Sequence, residues 1–186
     1  MANAATKGWF RIEGQDGDRT LGQQLVGLDL LLENVAGKTV LDLGCAEGLI
    51  SMELARAGAK HVHGVDSVDR YIKHAKKHAG EWPVTFAKAD LNDDRDIAPE
   101  CEYDIVLMLA ICHKLKDPSK FAARYGKLAR DLVVVRLPPT TAPVVVDRRS
   151  GNERHDIQAA LRTVGFQLTS VFYGTYNEWN GYFERV

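Results

Sequence analysis

The chain has 186 residues, of which 45% are hydrophobic and 26% charged, and its formal net charge is -1. This composition is that of an ordinary globular protein, and the near-zero charge excludes a strongly charged nucleic-acid-binding or membrane-surface protein. The longest apolar run, residues 105–112, is far shorter than the ~20 residues of a membrane-spanning helix. We therefore expect a soluble, cytoplasmic protein with one domain over residues 1–186: an N-terminal lid and helix segment, 1–37, and a core, 38–186.

The first segment with a recognisable character, residues 8–21, is too polar for a core strand, yet it carries Trp9 and Phe10. We expect this segment to form a lid over a ligand, with Gln15 and Arg19 reaching inward. Disorder of the chain before residue 20 is the alternative, because chain termini are often poorly ordered.

Beyond this segment, short β-branched runs alternate with helical patterns. A helix is predicted over 20–35, strands are predicted at 39–43, 61–65, 84–87, 104–109 and 131–136, and helical patterns lie between them, as at 49–55 and 68–79. Strands that alternate with helices indicate βαβ units and a parallel sheet. The fourth strand is a continuous apolar run, which is typical of a strand covered on both faces.

The C-terminal third predicts a closing hairpin. A helical pattern over 153–164 ends before Gly165, which can adopt the left-handed conformation of a helix C-cap. Two strand-like runs follow, 166–173 and 182–186, joined by a turn-rich linker. The sequence therefore predicts a three-layer, doubly wound α/β fold whose seven-stranded sheet is mostly parallel and has an antiparallel C-terminal strand.

The strongest functional signal is a glycine loop between the first strand and the helix that follows it. In VLDLGCAEG, residues 40–48, Gly44 and Gly48 permit a tight turn and a close approach of backbone to a ligand that a Cβ atom would block. Asp66 ends the second strand and Asp90 follows the third. Because parallel strands end at one edge of the sheet, these features are expected to meet where ligands bind in doubly wound folds.

Two motifs carry a family resemblance. Residues 42–48, Asp-Leu-Gly-Cys-Ala-Glu-Gly, resemble the [D/E]-x-G-x-x-x-G motif of class I S-adenosylmethionine (SAM)-dependent methyltransferases, with Ala46 in place of the usual central glycine. Residues 109–118, LAICHKLKDP, resemble the hhxxHxLxDP pattern of many small-molecule and tRNA methyltransferases. The resemblance covers nearly the whole chain from residue 39. It implies a Rossmann-like fold, SAM as cofactor and S-adenosylhomocysteine as product.

The resemblance also implies a set of cofactor contacts. The glycine loop would wrap the methionine part of SAM, and Asp42 would lie near the amino group of that part. Asp66 would accept hydrogen bonds from the ribose hydroxyls. Asp90 would lie beside the adenine amino group. Structural duties remain open for two of these acids: Asp42 as a tie within the loop and Asp90 as a helix N-cap. The expected contacts are Asp42, Gly44, Cys45, Ala46, Gly48, Asp66, Ser67, Asp90, Leu91 and Leu109.

For the methyl acceptor the candidates are one histidine and a group of arginines. A neutral His113 could take a proton from the attacking nucleophile or orient it, and the alternative is a histidine that packs the loop. Arg136 and Arg154 are expected to bind the substrate, because guanidinium groups grip carboxylates and phosphates bidentately. Arg148 and Arg149 lie in the same region and fit a solvated loop better.

No metal site is predicted. The chain carries two histidine pairs, His61 with His63 and His74 with His78, but neither has HExxH spacing, and lysines flank the second pair.

The sequence thus predicts a methyltransferase that moves a methyl group from SAM to a small-molecule acceptor, with an anionic acceptor as a candidate. The alternatives are an RNA methyltransferase acting on tRNA and a non-catalytic SAM-binding module. An NAD-dependent oxidoreductase is disfavoured because G-x-G-x-x-G is absent after the first strand, and a DNA amino-methyltransferase because [DNS]-P-P-[YFW] is absent after the fourth. We expect no membrane partner, a monomer or homodimer, and nucleic acid only as a less favoured partner.

Overall fold

The structure is a computed structural model that describes residues 8–12, 16–93, 102–139 and 153–186. Its helices and strands are, in chain order, β1 (Gly8–Phe10), β2 (Gly17–Arg19), α1 (Leu21–Leu25), α2 (Asp29–Asn34), β3 (Thr39–Leu43), α3 (Leu49–Arg56), β4 (His61–Asp66), α4 (Asp69–His78), β5 (Val84–Lys88), β6 (Tyr103–Leu109), a short 3-10 helix (Cys112–Lys114), α5 (Pro118–Gly126), β7 (Ala129–Leu137), α6 (Glu153–Arg162), β8 (Phe166–Tyr173) and β9 (Trp179–Arg185).

The central sheet has the strand order β5-β4-β3-β6-β7-β9-β8. The strands from β3 to β7 pair in parallel, whereas β9 runs antiparallel to both of its neighbours. The prediction of a mostly parallel seven-stranded sheet with an antiparallel C-terminal strand is confirmed. The chain winds outward from β3 to β5 and returns to place β6 on the other side of β3, so the strand order reverses beside the glycine loop.

Each face of the sheet has its own apolar core. On one face Leu41 and Val133 pack with residues of α5 and α6, such as Leu161. On the other face Val40 and Val134 pack with residues of α1–α3 and the loops between them. Neighbouring strand residues enter different cores because strand side chains alternate between faces. This alternation produces the predicted three-layer arrangement.

The N-terminal segment differs from the prediction in two ways. The single helix predicted over residues 20–35 is wrong: α1 and α2 are separate, because Val26 is extended and Gly27 has a φ of +81°. A left-handed residue cannot continue a right-handed helix, so the chain turns there. The first strands, β1 and β2, pair in parallel with each other outside the central sheet.

The C-terminal hairpin is present, and its second strand begins at Trp179, three residues earlier than predicted. A β-bulge interrupts β8: Leu168 pairs with Phe183 and Ser170 pairs with Tyr182, which leaves Thr169 as the extra residue. The Thr169 hydroxyl hydrogen-bonds the Tyr182 carbonyl oxygen at 3.3 Å. After the bulge, Phe172 contacts the Tyr182 ring on the α1–α2 face of the sheet.

Candidate active site

A cavity of about 350 Å³ opens at the carboxyl ends of β3, β4, β5 and β6. Its volume lies in the range of small-molecule sites. Seven of the predicted cofactor contacts line it, namely Gly44, Ala46, Asp66, Ser67, Asp90, Leu91 and Leu109. The other lining residues are Trp9, Val68, Tyr71, Asn92, Ala110, Ile111, Lys114 and Leu115. The structure thus brings together the four strand ends that the sequence singled out.

The glycine loop is built from left-handed residues. Gly44 and Gly48 have φ angles of +80° and +77°, and Ala46 has +48°. A Cβ atom on Gly48 would stand 2.6 Å from the Phe86 ring. The left-handed Ala46 also explains why glycine is the usual residue at this place in the motif, since a Cβ is strained in that conformation. The loop therefore brings backbone close to the cavity on a path that few side chains permit.

Asp66 lies half-buried at the end of β4 and connects two loops that line the cavity. Its Oδ2 accepts a hydrogen bond from the Ala46 backbone N–H at 3.0 Å, and its Oδ1 accepts one from Val68 N–H at 2.9 Å. A carboxylate offers about four lone-pair positions, so two remain for a ligand. Asp66 can therefore accept hydrogen bonds from two ligand hydroxyls while it holds the glycine loop in place.

Asp42 is buried beneath the same loop and does not line the cavity. Its Oδ2 accepts a hydrogen bond from the Ser51 hydroxyl of α3 at 2.6 Å. Burial raises the pKa of Asp42 to about 6, with a smaller increase from the charge of Asp66 and an opposing effect of the Ser51 hydrogen bond. In this structure Asp42 ties the loop to α3, and a direct contact with the cofactor stays a prediction.

Cys45 and Gly48, which were also predicted to contact the cofactor, do not line the cavity. Cys45 is buried against Phe86 and the residues of α3 and α4. Their roles as contacts stay predictions.

Asp90 closes an exposed turn after β5. Its Oδ1 accepts a hydrogen bond from the Asn92 backbone N–H at 2.9 Å, and the Asn92 side-chain oxygen accepts one from Lys116 N–H at 3.0 Å. These bonds join the loops after β5 and β6 on one side of the cavity. Asp90 thus lines the cavity and also shapes its rim.

His113 is buried in the short 3-10 helix after β6 and does not line the cavity, whereas its neighbour Lys114 does. Its catalytic role stays a prediction.

Arg136 requires a correction, because the structure places its side chain in a buried network and not in the lining of the cavity. Only 1% of Arg136 is exposed. Its Nε donates to Asn180 Oδ1 at 2.6 Å, its Nη1 to the backbone oxygen of Gln24 at 2.8 Å and its Nη2 to the Val26 backbone oxygen at 3.2 Å. A further Nη1 bond reaches Gln24 Oε1 at 3.2 Å. With four of its five donors engaged in this way, Arg136 fastens α1 to the hairpin and has no access to a substrate in the cavity.

Two further arginines of the predicted site are described by the structure, and neither lines the cavity. Arg154 is exposed at the start of α6, with its guanidinium 5.0 Å from the Trp179 ring centroid, and substrate binding by it stays a prediction. Arg19 lies over the Tyr176 ring and does not line the cavity. The other named positions, Gln15, Arg148 and Arg149, lie outside the described residues.

Eight cavity-lining residues were not predicted as contacts, and the largest of their side chains are those of Trp9, Tyr71 and Lys114. Trp9 was identified only as an aromatic residue of the lid. Lys114 lies within the 109–118 motif, at one of its variable positions. Its ammonium lies 4.5 Å from the centroid of the Trp9 ring, within the range of a cation–π interaction.

The donor and acceptor chemistry of the cavity fits SAM. Asp66 supplies a carboxylate for ribose hydroxyls, the glycine loop supplies a close backbone approach, and Leu91, Leu109 and Ile111 supply apolar surface. Among the described residues there is no group of three or more potential metal ligands that could hold an ion.

The family model described as "Methyltransferase domain" matches residues 40–131. That segment includes the glycine loop and the strands that line the cavity. Over this segment, about half of the chain, the protein is similar to that methyltransferase domain family. No described helix has the length and apolar character needed to cross a membrane.

Two curated relatives are ubiquinone biosynthesis O-methyltransferases. The Neisseria meningitidis protein is 28% identical over 109 residues, covering 52% of this chain and 42% of its own. The mitochondrial Arabidopsis thaliana protein is 39% identical over 94 residues, covering 50% of this chain and 29% of its own. The matched part of the chain therefore spans less than half the length of these relatives.

Among solved structures, the magnesium protoporphyrin IX methyltransferase of Synechocystis PCC 6803 with bound S-adenosylhomocysteine has a TM-score of 0.73. It is 21% identical, and the match covers 92% of this chain and 90% of that one. At this identity the likeness shows a shared fold, which extends over nearly the whole chain.

Proposed function

We propose that the protein transfers the methyl group of SAM to a small-molecule acceptor. The observation that carries this proposal is the position of Asp66, whose carboxylate lines the cavity while it holds the backbone of the glycine loop. An acid at this strand end is suited to a ribose, because its free lone pairs can accept from both hydroxyls. The match of residues 40–131 to the methyltransferase domain model and the SAM-type glycine loop support the same conclusion.

Each wall of the cavity has a role in this proposal. Asp66 would bind the ribose, Asp90 and Leu91 would lie at the adenine, and Gly44 and Ala46 would bring backbone to the methionine part. The bound cofactor would supply an electrophilic methyl group on a sulfonium. The protein's own contribution is to align the acceptor and exclude water, and such positioning contributes roughly 7–11 kcal/mol to rate acceleration.

A small molecule is the acceptor class that the chain's relatives favour, because those relatives are named for ubiquinone biosynthesis and magnesium protoporphyrin IX. For an anionic acceptor, Lys114 replaces Arg136 as the candidate cation, since Lys114 lines the cavity and Arg136 is buried elsewhere. A general base is needed only for an acceptor that is protonated at the working pH. We also propose that the protein works in the cytoplasm as a monomer or homodimer.

Calorimetric titration with SAM, S-adenosylhomocysteine and NAD tests the cofactor. We expect the first two to bind and NAD not to bind. The D66A variant should bind SAM more weakly by at least about 100-fold, because it loses two hydrogen bonds to a charged acceptor, each worth about 1.5–3 kcal/mol. The D69N variant is the matched control, since Asp69 lies three residues further on, pairs with Lys73 and does not line the cavity.

Two outcomes would contradict the cofactor assignment: a wild-type protein that binds neither SAM nor S-adenosylhomocysteine, or a D66A variant that binds SAM as tightly as D69N does. The catalytic part requires turnover. S-adenosylhomocysteine production should be followed with a panel of phenols and carboxylic acids, with bulk tRNA as a separate arm. Binding without production in any arm would favour a non-catalytic SAM-binding module.

A further inference from the structure

Glu47 is a fully buried carboxylate in the glycine loop, and its hydrogen-bond partners include the N-terminal strand. None of its surface is exposed. Its Oε1 accepts a hydrogen bond from the Trp9 backbone N–H at 2.9 Å, and its Oε2 accepts one from the Phe10 N–H at 3.3 Å. A buried carboxylate needs such donors, because its charge is otherwise costly in the interior. Strand β1 is thus attached to the loop that approaches the cofactor.

This attachment determines where the side chains of β1 lie. Successive strand residues point to opposite sides, so a backbone fixed at Trp9 and Phe10 sends one side chain each way. Phe10 is 2% exposed and packs in the core on the α1–α3 face. Trp9 lines the cavity. One bound carboxylate therefore fixes both the buried and the cavity-facing residue of the strand.

Trp9 meets a second element at the cavity. Lys114, from the short 3-10 helix after β6, places its ammonium 4.5 Å from the Trp9 ring centroid, and both residues line the cavity. The two side chains form one wall, to which β1 contributes the ring and the loop after β6 contributes the cation. The position of this wall depends on β1, and β1 is held by the glycine loop.

We infer that Glu47 is a positioning residue: it couples the glycine loop to β1 so that Trp9 and Lys114 form the wall of the cavity that contacts the bound cofactor. The inference rests on the proposed function, because the ligand that the wall meets is SAM or its product. The inference assigns a binding role to Trp9. It also predicts that the position of β1 and the affinity for the cofactor both depend on the two hydrogen bonds that Glu47 accepts from Trp9 and Phe10.

Tryptophan fluorescence during titration with S-adenosylhomocysteine tests this coupling. The chain has three tryptophans, Trp9, Trp82 and Trp179, so a W9F variant supplies the signal of the other two. In the wild type we expect the emission of Trp9 to change on binding, because the ligand replaces water beside the ring. The E47Q variant should bind about tenfold more weakly and lose most of the Trp9 response, since an amide nitrogen cannot accept the second backbone hydrogen bond.

The matched control is E178Q. Glu178 is also buried and accepts a backbone hydrogen bond, from Tyr176 N–H at 2.8 Å, but Tyr176, unlike Trp9, does not line the cavity. E178Q should lower the midpoint of thermal unfolding and leave both the affinity and the Trp9 response unchanged. If E47Q, like E178Q, lowers only the midpoint of thermal unfolding, the role of Glu47 is purely structural and the inference is wrong.

A second variant covers the case in which E47Q does not fold. W9L removes the ring from a half-buried position without touching Glu47, and it should weaken binding of S-adenosylhomocysteine about tenfold by calorimetry. Unchanged affinity in W9L would overturn the inference. Failure of the wild type to bind at all would instead reject the proposed function, so the two failures are distinguishable.

Discussion

Two regions of the molecule bury charged side chains, and they do so in different ways. Arg136, between α1 and the hairpin, directs four donors onto neutral oxygens of Gln24, Val26 and Asn180. Beneath the glycine loop, Asp42 receives one hydrogen bond from Ser51 and lies near the charge of Asp66. Burial opposes both charges, since it lowers the pKa of Arg136 and raises the pKa of Asp42 to about 6. The guanidinium nevertheless stays charged and is held by four hydrogen bonds, whereas Asp42 titrates near neutral pH.

The difference separates a charge that the fold keeps at every ordinary pH from one that is lost as the pH falls. Satisfying a buried ion with hydrogen bonds stabilises one arrangement of the chain and leaves it no further ligand. A buried or half-buried carboxylate is stabilised by a nearby positive charge. SAM carries a sulfonium and an ammonium group, so the cavity-lining carboxylate of Asp66 suits it, whereas the Arg136 side chain is engaged within the fold.

The largest expected effect tests the structural half of this comparison. Replacing Arg136 with alanine leaves several buried oxygens without donors, at about 1–3 kcal/mol each, so R136A should lower the free energy of unfolding by about 4 kcal/mol. Urea denaturation measures this. R130A, on the same strand, is the control: Arg130 is exposed and pairs with Glu102, so its loss should change the stability little. A stable R136A that binds SAM but does not turn over would restore the predicted substrate role.

The next effect tests the acidic half. Because the pKa of Asp42 in the folded protein is raised to about 6, the native state binds more protons than the unfolded state between about pH 4 and pH 6. The free energy of unfolding should therefore fall as the pH rises through this window, by at most about 3 kcal/mol at 1.36 kcal/mol per pKa unit. Chemical denaturation at a series of pH values measures the loss.

The D42N variant supplies the reference for this pH dependence. It keeps an oxygen that can accept from Ser51 and removes the titrating group, so its decrease between pH 4 and pH 6 should be smaller by the contribution of Asp42. Identical pH profiles for D42N and the wild type would mean that burial does not raise the pKa of Asp42. The contrast with Arg136 would then be lost.

The smallest expected effect comes from comparing a glycine of the glycine loop with a glycine outside it. Gly48 and Gly37 both have left-handed φ angles, of +77° and +75°, but only Gly48 has neighbours that a Cβ atom would meet. G37A should cost about 1 kcal/mol from conformation alone. G48A should cost about 2 kcal/mol more, because its methyl would contact the Phe86 ring at 2.6 Å. Equal losses of thermal stability in the two variants would show that the loop tolerates the methyl.

Much of the fold follows from periodicity alone. The bounds of β3 and β8 are those predicted, because β-branched runs between turn residues define a strand locally. Helix α5 lies outside the predicted elements, although Asp117 caps it and Pro118 begins it. The break at Gly27 depends on tertiary contacts, since the Tyr182 hydroxyl donates to its carbonyl oxygen from 155 residues away.

The residues of the site that lie at strand ends were predictable from the sequence. The residues whose place depends on where the side chain points were less predictable. Asp66 and Gly44 line the cavity because any residue at those strand ends reaches the same edge. The orientation of the Arg136 side chain was not predictable in this way. The strand that carries it was predicted correctly, but the side chain faces α1, a helix whose position the sequence pattern does not define. Trp9 lines the cavity from a strand that is attached to Glu47, and no sequence pattern predicts that attachment.

The bulge at Thr169 has a consequence for how copies of the protein meet. Within the described part of the chain, β8 is the last strand on its side of the sheet, and three of its final residues, Val171, Phe172 and Tyr173, are exposed. A flat edge of this kind is a template for strand addition and aggregation. The extra residue twists the strand and breaks the regular row of backbone donors and acceptors. The apolar edge strand β8 of one copy therefore pairs poorly with β8 of a second copy.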